Sequence, residues 1–203
     1  MTAYKPLENY IESLTITDIS KERKVVLEKF LHYLNAQKEA GKTVALNFIC
    51  THNSRRSHLA QAWAQTMAQY YQHHAFYCFS GGTKATALYP QVAATLSAVG
   101  FRIEQLRVGE NPVYQIKYTE AAMPIIGFSK EHDASFNPSS AFAAIMVCDA
   151  AAEACPYVSG ADMVMSLTYE DPKLADERSD KAAHYEERSK QIATEMKWVF
   201  SHL

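Results

Sequence analysis

Apolar residues recur along this chain at two different periods, and the switch between them marks its organisation. In "TDISKERKVVLEKFLHYLNAQKEAGK", Leu27, Phe30, Leu31 and Leu34 return at helical spacing, with Asp18 or Ser20 as cap and Gly41 as stop, which predicts one amphipathic helix. The preceding "LENYIESL" predicts a further turn or two of helix. Together they read as an N-terminal helical extension, residues 1–42, whose apolar face packs on the rest of the chain or docks a partner.

From Thr43 the pattern changes. "TVALNFIC" predicts a short buried strand, and "SHLAQAWAQTMAQYY" brings Leu59, Trp63, Met67 and Tyr70 onto one helix face. "AFYCFSGG" reads as a second strand ending in glycines and "YPQVAATLSAVG" as a helix stopped by Gly100. "FAAIMVC" and "DMVMSL" are two more strands, and "HYEERSKQIATEMKWVF" is the C-terminal helix. Strands alternating with helices predict, for residues 43–203, a three-layer α/β/α domain around a central parallel sheet of about four strands. Within Glu104 to Asn137, "NPVYQIKYTEAAMPIIGFSK" holds two short β-prone runs, read as a hairpin inserted at an edge of that sheet.

Composition narrows the function classes. At 203 residues with 48% hydrophobic and 21% charged residues, the chain can bury a sizeable core and is not a disordered segment. Lys plus Arg is 20 against 22 Asp plus Glu, a formal charge of −2, so there is no electrostatic footprint for nucleic acid and any anion site is local. The N-terminus lacks the basic and apolar regions of a leader, and no stretch approaches the ~18 uncharged apolar residues of a membrane span. The expectation is a soluble cytoplasmic protein without nucleic-acid or membrane partners. Cys50, Cys78, Cys148 and Cys155 are too few for a secreted disulfide scaffold; without a Cys-x2-Cys pair, and with His73 beside His74, they do not predict a zinc site. No metal or other cofactor is expected. Buried small hydrophobes or reactive thiols remain the two readings of these cysteines.

Cys50 ends the first predicted strand, and "CTHNSRRS" feeds the next helix. In open α/β sheets ligands bind beyond the carboxyl ends of strands, where loop N–H groups and a helix N-terminus suit a tetrahedral oxyanion. Arg56 offers a planar fork that clamps two anion oxygens, and the same field favours Cys50 as a thiolate nucleophile. Ser57 can donate to that thiolate, and Asn53 can brace the loop and tolerate a left-handed backbone. The remaining loop residues, Thr51, His52, Ser54 and Arg55, complete the candidate oxyanion cradle.

"CTHNSRRS" resembles the Cys-x5-Arg-Ser loop of low-molecular-weight protein tyrosine phosphatases and thioredoxin-coupled arsenate reductases. "FSGG" resembles the Ser-Ala-Gly after that family's second strand, and "YEDP" its acidic-Asp-Pro loop; the similarity spans about Thr43 to Phe200. It implies that Asp171 is the general acid that protonates the departing oxygen. "VCDAAAEACP" resembles the Cys-x6-Cys-Pro segment of the reductases, which implies a short mobile loop carrying a thiol cascade. Cys50 attacks arsenate, Cys148 attacks Cys50 and expels arsenite, and Cys155 then takes the disulfide to the Cys148–Cys155 pair for a thioredoxin-like reductant. Cys78 has no counterpart role and reads as core.

Two alternatives stand beside arsenate reduction. One is phosphomonoester hydrolysis through a phosphocysteine, with Tyr114, Tyr118, Tyr157 or Tyr169 as candidate walls for an aromatic substrate. The other is a non-enzymatic module that binds an oxyanion or arsenite. Three departures bear on the loop. His52 stands where the family has glycine, at a cost if that position needs φ > 0. Arg55 replaces a small residue or cysteine, and either strengthens anion capture or points to solvent. Gln61 replaces the glutamate that many of the reductases use for a potassium ion.

Overall fold

The computed structural model describes residues 3–154 and 157–203. The N-terminal pattern folds into two helices, α1 (Lys5–Ser13) and α2 (Lys21–Glu39), joined by a 3-10 turn at Ile16–Asp18. Ser20 caps α2, its Oγ accepting from the Arg23 N–H at 3.2 Å, and Gly41 leaves the helix with φ of 66°. Leu7, Ile11, Leu27, Phe30 and Leu34 from these helices are fully buried in the same apolar core as the sheet. Two contacts dock α1. Gly100, at φ of 110°, lets the helix pass so close that a Cβ there would lie 2.5 Å from the Leu7 nitrogen. Lys197 donates to the carbonyls of Ile11 and Leu14, each at 2.8 Å, tying the end of α1 to α6.

The body begins with β1 (Val44–Cys50), buried at every position but Ala45, which leads into α3 (Arg56–Tyr70). Then come β2 (Phe76–Gly82), α4 (Pro90–Ala98), β3 (Arg102–Arg107), β4 (Val113–Lys117), β5 (Ile125–Gly127) and β6 (Phe142–Met146). The chain closes with α5 (Asp149–Ala154), β7 (Ala161–Ser166), a 3-10 turn at Pro172–Ala175 and α6 (Lys181–Ser201). β2, β1, β6 and β7 form, in that order, a parallel four-stranded sheet at the centre of a three-layer α/β/α fold, with Ile49 opposite Met146 and Cys50 opposite Gly82. The carboxyl ends of β1 and β6 therefore rise side by side. Trp63 of α3 welds the helices together. Its Nε1 donates to Ser189 Oγ of α6 at 2.9 Å, and its ring stacks on Tyr10 of α1 and meets Phe101 edge-on. Among the described residues no helix is long and apolar enough to cross a membrane.

Two expectations are corrected. The segment after Gly100 does not add a hairpin to an edge of the central sheet; β3, β4 and β5 form a separate antiparallel sheet, joined to β2 by a single bridge between Gly82 and Glu131. The reason lies on the rim of β2, where side chains already hold the groups a new strand would need. Gln65 accepts from the Cys78 N–H and donates to the Phe76 carbonyl, Gln61 donates to the Cys78 carbonyl, and Asn137 donates to the Ser80 carbonyl. Secondly, the alanine-rich stretch after Cys148 is not an open loop but begins as the helix α5, in keeping with the high helix propensity of alanine.

Candidate active site

Cys50, His52, Ser54, Arg55, Arg56 and Asp171 line one small cup at the carboxyl end of β1 and the N-terminus of α3. Cys50 is 4% exposed, its sulfur 3.2 Å from Ser57 Oγ. Asn53 Nδ2 donates to that same Oγ at 2.9 Å, which leaves the Ser57 proton free to point at the sulfur. Asn53 is the left-handed residue of the loop, at φ of 43°, and its Oδ1 accepts from the Lys130 N–H at 2.9 Å. His52 does not carry the positive φ; its ring is exposed and its carbonyl is pinned by Ser129 Oγ at 2.9 Å and Thr86 Oγ1 at 3.1 Å. The stretch of residues 127–130 leaving the second sheet thus braces the loop from behind. Gly82 lets β2 come equally close: a Cβ there would lie 2.7 Å from the Asn53 nitrogen.

His58 sits under the loop, fully buried, its Nε2 2.9 Å from the Asn53 carbonyl and its Nδ1 3.3 Å from Ser80 Oγ. Bonded in this way, Nε2–H donates to the carbonyl and Nδ1 accepts from the serine. Burial, helped by the nearby Lys130 charge, pushes its pKa down to about 3. The folded state therefore holds His58 neutral where the unfolded chain, with a pKa near 6.5, protonates it. Stability is expected to be fully present above about pH 6.5 and to fall, by up to about 1.4 kcal/mol per pH unit, as pH drops from there toward 3. Urea unfolding midpoints between pH 7.5 and 5, compared with those of His58→Gln, check this; equal slopes in the two proteins would contradict it.

Arg56 turns its guanidinium toward the other wall, where NH1 donates to the Tyr169 carbonyl at 2.9 Å and NH2 to Asp171 Oδ2 at 2.5 Å. Asp171 Oδ1 accepts from the Lys173 N–H and caps the 3-10 turn that Pro172 opens, so the carboxylate is held at the rim of the cup. Arg55 lines the cup but is engaged on its far side, with Nε donating to Tyr185 at 2.6 Å and NH2 to Asp176 at 2.5 Å. Its Cζ lies 4.2 Å over the Tyr89 ring.

Thr51 leans away from the cup, its Oγ1 3.5 Å from the sulfur of Cys148, which is buried just past the end of β6. Cys155 lies outside the described residues, so a three-cysteine arrangement is not visible. Cys78 is buried in β2, where the apolar surroundings push its thiol pKa far up, as befits a core residue. Gln61 makes its bond to the β2 rim, and no cluster of His, Cys, Asp or Glu able to hold a metal occurs among the described residues.

None of Tyr114, Tyr118, Tyr157 and Tyr169 lines the cup. The aromatic beside it is Tyr89, whose N–H donates to the Ser54 carbonyl at 3.0 Å. Its position in "LYPQ", just before a helix-opening proline, is the one sequence signal that could have found it. Tyr185 and Asp176 carry no comparable motif. A groove of about 530 Å³ lies elsewhere, between α3, β2 and the second sheet, lined by Tyr77, Phe79, Met123 and Phe136 among others.

The sequence matches no family model and no curated protein. Solved structures do share its fold. The low-molecular-weight phosphotyrosine phosphatase of Vibrio cholerae O395 superposes with a TM-score of 0.52 at 10% identity, covering 78% of this chain and 95% of its own. The low-molecular-weight protein tyrosine phosphatase of T. tengcongensis superposes with a TM-score of 0.52 at 13% identity, covering 79% and 99%. An arsenate reductase of Archaeoglobus fulgidus also matches, with a TM-score of 0.43 at 19% identity, covering 73% and 98%. At such identities what is shared is the fold, and roughly a fifth of this chain lies beyond it.

Proposed function

We propose, on the premise of the fold shared with low-molecular-weight phosphatases, that this protein acts on a tetrahedral oxyanion through Cys50, and that the reaction is the reduction of arsenate to arsenite. The observation that carries the oxyanion chemistry is the cup itself: one thiol at its floor, one guanidinium fork in its wall, one carboxyl at its rim. The Cys50 sulfur attacks arsenic, Arg56 holds the equatorial oxygens, and Asp171 gives its proton to the departing oxygen, which leaves as water. Ser57 steadies the sulfur before attack.

The choice of reduction rests on Cys148, buried one strand away beside Thr51. Its thiolate attacks the Cys50 sulfur, a Cys50–Cys148 disulfide forms, and the electron pair of the S–As bond stays with arsenic, which leaves as arsenite. Cys155 then attacks Cys148, the disulfide passes to those two residues, and Cys50 is released as a thiolate. A thioredoxin-like dithiol reduces the final disulfide. One equivalent of arsenate, added to the fully reduced protein without reductant, is expected to release about one equivalent of arsenite. Peptide mapping should then find a disulfide between Cys148 and Cys155. Free thiols with no arsenite would refute reduction.

A second reading is hydrolysis of phosphomonoesters, favoured by the fact that Cys50, Arg56 and Asp171 are all it requires and all line the same cup. Turnover of an aryl phosphate that survives the double change Cys148→Ser, Cys155→Ser, in a protein unable to reduce arsenate, would decide for it.

A further inference from the structure

The guanidinium of Arg56 has two acceptors in this fold, the Tyr169 carbonyl and the Asp171 carboxylate, and both belong to one short segment after β7. Something must fix that segment. Its backbone is tied to the sheet by the Tyr169 N–H, which donates to the Val147 carbonyl at 3.2 Å. Its side-chain anchor is the Tyr169 ring, which is buried and runs inward to a carboxylate: the phenol donates to Glu195 Oε2 at 2.8 Å. Glu195, on α6, is itself 2% exposed, and Gln191 donates to its Oε1 at 3.1 Å.

The charge on that buried carboxylate is met from the N-terminal extension. Arg23, in the first turn of α2, donates through Nε to Glu195 Oε1 at 2.7 Å and through NH2 to Oε2 at 2.8 Å. This is a two-point fork that lysine cannot copy. The same guanidinium lies over the Tyr169 ring, with Cζ 4.7 Å from its centroid. Burial and the adjoining carboxylate hold the Tyr169 phenol well above its ordinary pKa, so it remains an O–H donor. Arg23 thus grips both the ring and the carboxylate to which the ring is bonded.

We infer that Arg23 and Glu195 are positioning residues of the cup, which act through Tyr169 to hold Asp171 and the guanidinium of Arg56 in register, so that the N-terminal extension completes the site. The inference rests on the reading of Asp171 as proton donor and Arg56 as anion clamp. The bland alternative is that Arg23 and Glu195 only staple α2 to α6. The two differ in a measurable way. A loosened acid loop penalises substrates that need their leaving group protonated, whereas a lost staple lowers stability and treats all substrates alike.

The test compares phenyl phosphate, a poor leaving group, with 4-nitrophenyl phosphate, a good one, in wild type, Arg23→Met, Arg23→Lys and Tyr169→Phe. Amide hydrogen exchange of residues 167–173 and of β1 is followed alongside. Tyr169→Phe keeps the Arg23–Glu195 pair and the ring, so it remains informative if Arg23→Met folds poorly. For Arg23→Met and Tyr169→Phe the expected result is a fall in kcat of about tenfold or more on phenyl phosphate and less than about threefold on the nitrophenyl ester, with KM little changed. Exchange in residues 167–173 should be at least about tenfold faster while β1 is unaffected, with Arg23→Lys in between.

Equal losses on both esters, or loop exchange that is unchanged or accelerated only in step with β1, would overturn the inference. Faster loop exchange in the variants, where the wild-type protein turns over neither ester and does not reduce arsenate, would instead count against the proposed chemistry and leave the positioning intact.

Discussion

Cys50→Ser is expected to abolish arsenate reduction and aryl phosphate hydrolysis alike, lowering kcat by about 10⁴-fold or more. The substitution exchanges sulfur for oxygen at a buried atom whose hydrogen bond to Ser57 a hydroxyl can also make. The fold and the anion cup should therefore persist. What is lost is chemistry: a serine hydroxyl keeps its proton near neutrality, and neither Asp171, bonded to Arg56, nor His58, tied to the Asn53 carbonyl beneath the loop, is placed to take it. The check is kcat on both substrates together with a melting temperature within about 2 °C of wild type. Turnover within roughly tenfold of wild type would place the nucleophile elsewhere.

Arg56→Lys carries the second-largest expected effect, a fall in kcat of about 10²- to 10³-fold. Lysine keeps the charge but offers a single point where the guanidinium presents two parallel donors. In this structure those donors engage Tyr169 and Asp171. On the proposed mechanism the same fork grips the oxygens of the entering anion, while Asp171, released from the ion pair, takes up a proton from the entering anion or solvent and passes it to the leaving oxygen. The pair is partly exposed, with side chains 14% and 33% accessible, so its contribution to stability is at most about 1 kcal/mol. Rates and unfolding should consequently separate, with catalysis crippled and the urea midpoint almost unmoved. A loss of activity matched by an equal loss of stability would contradict this role.

Much of the site was legible because its parts are local in sequence. Cys50, Asn53, Arg56 and Ser57 lie within a single loop and helix start, where strand burial and turn chemistry act on neighbours, and the structure places them side by side. The four parallel strands were legible for a similar reason: each is an apolar run bounded by turn residues. What escaped is long-range. No periodicity announces that Arg55 will be claimed by Asp176 and Tyr185, more than a hundred residues away. Nor does any motif announce that Tyr169 will find Glu195 and Arg23.

The second sheet escaped for another reason. Its first strand, Arg102–Arg107, is exposed at five of six positions and so lacks the apolar alternation by which strands are recognised. Its separation from the central sheet depends on a barrier made by side chains of α3 and by Asn137. The alanine run after Cys148 was ambiguous in kind, since alanine suits both a tight connection and a helix, and its high helix propensity prevails in α5.

That barrier has a further consequence. Gln61, Gln65 and Asn137 bond the carbonyls of Phe76, Cys78 and Ser80 and the N–H of Cys78, so a strand from another molecule that sought to extend the sheet there would have to displace these amide side chains to pair with those groups. Proteins with bare rims are prone to polymerise through them; here that border of the sheet is sealed against templated growth, by residues that take no part in the cup.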